Sequence, residues 1–254
     1  MSDIPLILSI ETASLACSVA VFQGNKVIAH RHDVGPSYVH AERLLPFVDQ
    51  VLLDAGIASK DLSAVSVSAG PGSYTGLRIG VATAKGLCHA LGIPLIATDP
   101  LESMAFQTSR TTTSPPDAAI AVIDARRDEI YTATFAPNGS GWTLAQPTRA
   151  LVLEPEAGLE KLFPFAANQP NVVVIGDAAQ KTQRLLGSLA DSWTFIEGHP
   201  NAVDTHATAT QAYANEQFED LAYFEPRYLK EFIAGRPRDP LGLRNRAIDS
   251  PHSS

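Results

Sequence analysis

Hydrophobic positions along the first hundred residues follow two periods. "LILSIETAS", "CSVAVFQ" and "KVIAHRH" are short apolar or alternating runs separated by turn-prone residues, including Gln23 to Lys26, and they predict a three-strand antiparallel meander. From about Tyr38 to Ala55 the period lengthens. Leu44, Leu45, Phe47, Val48, Val51, Leu52 and Ala55 recur at helical spacing, and Gly56 is placed to end the helix. Pro46 interrupts that pattern and marks either a kink or the true first turn. "LSAVSVSAG" then reads as a strand, "TGLRIGVATAKGLCHAL" as a helix and "IPLIAT" as a strand. The order β-β-β-α-β-α-β through residue 98 predicts a mixed sheet covered by helices.

The pattern restarts after a polar, proline-containing stretch, Gln107 to Asp117, which reads as a surface loop or domain joint. "AAIAVIDARRDEIYTATF" predicts a strand pair, "VVVIGDAAQKTQRLLGSL" a strand followed by a helix, and Ala202 to Asn215 a further helix. Residues 1–106 are thus expected to form one α/β lobe and residues 107–232 a smaller one. Residues 233–254 carry Arg236, Arg238, Arg244 and Arg246 with little apolar periodicity, and read as a flexible tail.

Composition narrows the class. A chain of 254 residues can bury a core without disulfide or metal staples, and its two cysteines, Cys17 and Cys88, sit in apolar stretches as ordinary core residues. The start of the sequence has no basic segment and no apolar run long enough for a signal peptide or a membrane span, so a cytoplasmic chain without membrane contact is expected. The net charge of -8 opposes nucleic-acid phosphates over most of the surface. If RNA is involved, something other than this chain is expected to do most of the gripping.

The stretch "SAGPGSYTGLRIGVATAKG", Ser68 to Gly86, carries the densest chemistry. It has no Gly-Lys pair, which excludes a Walker A loop, and Thr75 stands where the third glycine of a dinucleotide-binding fingerprint belongs. What remains is a strand, a turn through Gly70, Gly72 and Ser73, and a helix start. Such a turn either holds an anion on free amides or needs its glycines only for geometry. Within the helix, Gly76, Gly80, Ala84 and Cys88 share one face. Glycine inside a helix costs roughly 1 kcal/mol relative to alanine, so Gly80 and Gly86 imply close approach of another backbone, either internally or across an interface.

Other constellations are weaker. His30 and His32 share a strand face but lack a third ligand, which leaves no metal site. His40 and Glu42 are two residues apart on a helix and do not face one another. Ser68 and Ser73 have no nucleophile-elbow context. "DARRDEIY", Asp124 to Tyr131, concentrates charge at a strand junction, either as a functional rim or as a solvated turn.

"ILSIETASLACSVAVF", "HAERLLPFVDQVL", "VSAGPGSYTGLRIGVATAKGL", "LESMA", "DARRDEIY" and "EPRYLK", in this order, resemble the TsaB (YeaZ-like) family of tRNA threonylcarbamoyladenosine biosynthesis. The resemblance spans roughly residues 5 to 230. It implies the two-lobed α/β fold of actin, Hsp70 and sugar kinases, with a mixed sheet in each lobe. It also implies a non-catalytic partner of a TsaD-like transferase, working with a TsaE-like ATPase and reaching tRNA through the complex, and able to pair with a second copy when alone. The catalytic relative carries a His-x-x-x-His pair where this chain reads "DPLESMA", and kinases of the fold usually end their first strand in aspartate where this chain has Glu11. No cofactor is therefore expected. The alternative reading is a nucleotide-binding phosphotransferase or ATPase of the same fold, with Glu11, Gly70, Gly72 and Ser73 as the candidates that would hold the nucleotide. The family's partner surface, formed by the two helices of the first lobe, is expected here at Tyr38, His40, Arg43, Leu44, Phe47, Gly76, Gly80 and Ala84.

Overall fold

In the computed structural model, which describes residues 4–35, 39–139 and 141–230, the first apolar run becomes the central strand of a five-stranded sheet. Strand β1 (Leu6–Glu11) pairs antiparallel with β2 (Ala16–Gln23), and β2 with β3 (Lys26–Val34), which completes the expected meander. On its other side β1 pairs in parallel with β4 (Ala64–Ser68), and β4 with β5 (Leu95–Thr98). Parallel neighbours need long crossovers. Helix α1 (His40–Ala55) supplies the first and α2 (Tyr74–Leu91) the second. All of β4 is buried, which explains its continuous apolar and small-residue run.

Helix α1 begins at His40. Tyr38 lies outside the described residues, as does the tail after Lys230. Pro46 is neither the first turn nor a break: it sits inside the helix on the exposed side. Gly56 closes α1 in the left-handed conformation at φ 67°, donating its amide to the Leu52 and Leu53 carbonyls.

The second sheet repeats the plan. Helix α3 (Pro100–Thr111) leads to β6 (Ala118–Asp124), β7 (Glu129–Asn138) and β8 (Gly141–Val152), a second antiparallel meander. After α4 (Leu159–Leu162), strand β9 (Val172–Ile175) joins β6 in parallel. Helix α5 (Ala179–Leu186) then leads to β10 (Thr194–Ile196), and α6 (His206–Ala214) follows. The strand orders, β3-β2-β1-β4-β5 and β10-β9-β6-β7-β8, are topologically the same. These are the two α/β lobes with mixed sheets that the sequence led us to expect.

Two helices depart from the expected layout. Gln107 to Thr111, expected in a loop, form the last turns of α3, which starts where Asp99 accepts the Leu101 amide at 2.8 Å and Pro100 opens the first turn. A cut at residue 106 assigns most of α3 to the first sheet and all of α6 to the second, and their packing is the reverse. Leu101, Met104 and Ala105 of α3 pack with β6, β7 and β9, whereas Ala209 of α6 packs with Ile7, Phe22, Ala64 and Ile96. The first sheet has two apolar faces; α1 and α2 cover one, and α6 is needed for the other.

Beyond α6, residues 217–230 form a strap over the first lobe. The Glu219 amide donates to the Leu95 carbonyl at 2.9 Å, Phe224 and Leu221 pack on the core, and Lys85 Nζ donates to the Phe224 carbonyl at 2.9 Å. The Arg227 amide donates to the Ala69 carbonyl at 2.6 Å, and Lys230 then reaches Glu129 of the second lobe in an ion pair.

A cleft between two hairpin turns

Because the two sheets share one topology, their first hairpin turns come to corresponding ends. Ala13, Ser14 and Leu15 from the first, and Ala125, Arg126 and Arg127 from the second, line a cleft of about 820 Å³. Gly72 to Thr75 at the start of α2 and Arg227 to Lys230 from the strap complete its walls.

The inner end of the cleft is held by bonds within the protein. Glu11 is fully buried; its Oε1 accepts the Ala13 amide at 2.6 Å and its Oε2 accepts the Ser68 hydroxyl. Burial pushes this carboxyl up to about 7, against the pull of those two hydrogen bonds. The Ser73 amide donates to the Ala13 carbonyl at 2.6 Å, and the Ser73 hydroxyl accepts the Gly76 amide at 3.2 Å. A Cβ on Gly72 would sit 2.3 Å from the Ala13 carbonyl oxygen, so the turn and the hairpin touch through backbone alone. Gly70 is likewise covered by the Arg227 carbonyl. Glu11 therefore faces the core, and Gly72 and Ser73 line the cleft with their backbone held against the first hairpin.

Ser14 joins three parts of the molecule. Its carbonyl lies 2.9 Å from His40 Nε2 of α1, and its hydroxyl lies 3.1 Å from His199 Nδ1, which comes from the segment after β10. Burial lowers the pKa of both histidines. Nothing in the sequence pattern announces the contact with His199, which is 185 positions away. At the outer end, Asp124 pairs with Lys181 Nζ at 2.6 Å, which holds its carboxyl below the usual range although burial opposes the shift. The Asp177 carboxyl accepts the Asp124 amide at 2.9 Å and is raised to about 6 by burial. Asp99 and Glu102, from "DPLESMA", are both raised by burial, Glu102 to about 7, with the nearby Arg227 charge opposing.

The expected partner set is largely internal. Leu44 and Phe47 are buried in the first-lobe core together with Ala84, and His40 is 1% exposed against Ser14. Gly76 and Gly80 face Thr12: added Cβ atoms would sit 2.2 Å from its carbonyl oxygen and 2.3 Å from its Oγ1. Only Arg43 is exposed among the expected contact residues that the structure describes. The small face of α2 is thus a seat for the chain's own first hairpin. Helix α2 has a second small face, Ala82, Gly86 and Ala90, which is exposed, and nothing lies within 4 Å of a Cβ added at Gly86. Helix α1, which packs on α2, exposes Leu45 at 56% and Leu53 at 79%.

His30 and His32 lie on edge strand β3, and among the described residues no group of three or more His, Cys, Asp or Glu side chains is arranged to hold a metal ion. No described helix is long and apolar enough to cross a membrane.

Paired lobes of like topology around a cleft define a two-lobed protein of the actin, Hsp70 and sugar-kinase class. The sequence profile described as "TsaD: tRNA N6-adenosine threonylcarbamoyltransferase" matches residues 36–237. The Escherichia coli tRNA threonylcarbamoyladenosine biosynthesis protein TsaB is 32% identical over 229 residues, covering 90% of this chain and 96% of the relative. The Bacillus subtilis protein of the same name is 37% identical over 130 residues, covering 51% of this chain and 54% of the relative. A solved Pseudomonas aeruginosa protein, described as similar to peptidase YEAZ, superposes with a TM-score of 0.77 at 27% identity, covering 89% of this chain and all of that one. The chain belongs to the TsaB (YeaZ-like) family.

Proposed function

We propose that this chain is a non-catalytic subunit of the machinery that makes threonylcarbamoyladenosine in tRNA, docking on a TsaD-like transferase through the outer faces of α1 and α2. The observation that carries the proposal is the exposed small face of α2. A mid-helix glycine with open space before it weakens its own helix, which makes sense where another helix packs closely on Ala82, Gly86 and Ala90, with Leu45 and Leu53 of α1 as apolar flanks. The engagement of Glu11, Ala13 and Ser73 with one another supports a role without chemistry of its own. A TsaE-like ATPase joins the assembly, and in the transferase's absence a second copy of this chain covers the same helices.

The test is Gly86→Leu. The side chain enters open space in the free protein, so the fold is kept while the docking face is blocked. Size-exclusion chromatography with the transferase should show loss of the heterodimer, and tRNA modification by the reconstituted complex should fall with it. Pairing at wild-type affinity overturns the proposed face. Full modification without this chain overturns the subunit role.

A further inference from the structure

We infer that the mouth of the cleft contacts RNA phosphodiesters directly, through Arg126 and Arg127. This inference rests on the proposed role in a tRNA-modifying assembly and adds that the chain itself touches the RNA.

The charges around the cleft do not cancel evenly. Asp124 has Lys181 at 2.6 Å and Glu129 has Lys230 as ion-pair partner. Arg126 and Arg127 form none of the ion pairs among the described residues, although both are exposed and line the cleft. Arg126 is felt by the nearby Asp124 and Asp177 carboxyls, yet neither arginine is tied into an ion pair among the described residues, in a chain whose net charge is -8.

Their backbone is set with unusual care. Arg126 and Arg127 have φ of 74° and 51°, a left-handed region that residues with a Cβ rarely enter. Lys181 locks the turn from beneath, donating to the Arg127 carbonyl at 3.0 Å and the Glu129 carbonyl at 2.7 Å. Glycine would suit both positions better for folding alone. Arginine there places two forked, permanently charged donor groups on a rigid hairpin.

The opposite wall supplies aromatic surface. Tyr74 and Tyr228 have ring centroids 4.9 Å apart, with the Arg78 guanidinium 4.2 Å from the Tyr74 centroid. Tyr74 is engaged by both the Arg78 guanidinium and Tyr228, so Tyr228, which is 38% exposed, is the ring placed to meet a base. Guanidiniums for phosphates and an aromatic face for bases are the combination that binds unpaired nucleic acid. The ligand belongs at the mouth because the deeper amides of Ala13 and Ser73 are engaged internally and leave little to hold a buried triphosphate.

The experiment uses the double variant Arg126→Gly/Arg127→Gly, whose glycines accept the turn geometry. Transferase pairing is checked first, then tRNA affinity of the assembled complex is measured across salt concentrations. Losing two phosphate contacts should lower the slope of log affinity against log salt by about 1.5. Arg184→Ala, exposed on α5 outside the cleft lining, should leave the slope unchanged. If the wild-type complex modifies tRNA and the double variant keeps its slope, the inference falls and the proposed function stands. If the wild-type complex neither forms nor modifies tRNA, the proposed function falls and takes the inference with it. Saturable ATP binding by this chain that disappears in the double variant would assign the arginines to a small polyphosphate and overturn the RNA contact.

Discussion

Thr12 and Gly80 meet without room for a methyl group: the Thr12 hydroxyl oxygen lies 2.3 Å from where a Cβ on Gly80 would be. Helix α2 therefore carries two glycines of opposite meaning. Gly80→Ala should destabilise the protein by about 1–3 kcal/mol, the usual range for overpacking. Gly86→Ala should stabilise it by roughly 1 kcal/mol, the helix-propensity gain at an open site. Urea unfolding of the two variants checks both signs, and equal effects would contradict the packing described for α2.

Glu11 makes stability fall as the solution becomes more alkaline. Its carboxyl titrates near 7 in the folded protein against an ordinary value of 4.5, so between those values the folded state holds the extra proton. Stability from this group is complete below about pH 4.5 and is lost as pH rises to about 7, a change on the order of 3 kcal/mol. Glu11→Gln should flatten that part of the profile relative to wild type in chemical denaturation from pH 5 to 8. A wild-type-like slope in the variant would count against the buried, raised carboxyl.

His40 acts in the opposite direction. Burial lowers its pKa, so at acidic pH the unfolded chain takes up a proton more readily than the folded one. Its contribution is present above the ordinary histidine value and is lost as pH falls through and below it. His40→Gln retains a donor for the Ser14 carbonyl and should lose less stability than wild type between pH 7 and 5. The same titration series as for Glu11 reads this out, and parallel curves would exclude His40 as a source of acid sensitivity.

Tyr228→Ala should loosen the strap without unfolding the lobes. The substitution removes the ring pair with Tyr74 and the 3.2 Å hydrogen bond from Arg78 Nε to the Tyr228 hydroxyl. The aromatic pair alone accounts for about 0.5–1.5 kcal/mol. Hydrogen exchange at the Arg227 amide, which donates to Ala69, should quicken several-fold while β1 and β4 amides stay protected. Global loss of protection would show that the strap is not a separable unit.

Periodicity made the first meander, the β6–β7 pair, α1, α2 and the strand-helix pair β9–α5 readable, because each has one consistent buried side. Helix α3 escaped because its last turns are polar, Gln107 to Arg110, although Asp99 followed by Pro100 is a usable start signal. Strand β8 escaped because it is mostly exposed or half-buried, carries Pro147 and shifts register against β7. The small faces of α2 show a more basic limit. Gly76, Gly80 and Ala84 have the same spacing as Ala82, Gly86 and Ala90 would need for packing, and spacing does not say which face meets the chain's own Thr12. The Ser14–His199 contact depends on how the lobes close, which no local pattern encodes.

The return of α6 to the first sheet sets a timetable for synthesis. As the chain leaves the ribosome, β1, β2, β4 and β5 emerge early with the side bearing Ile7, Phe22 and Ile96 still bare. That greasy surface waits through the whole of the second lobe until Ala209, Ala212 and Tyr213 arrive to shield it. The lobe begun first is finished last, and a nascent chain stalled before α6 is a natural client for chaperones.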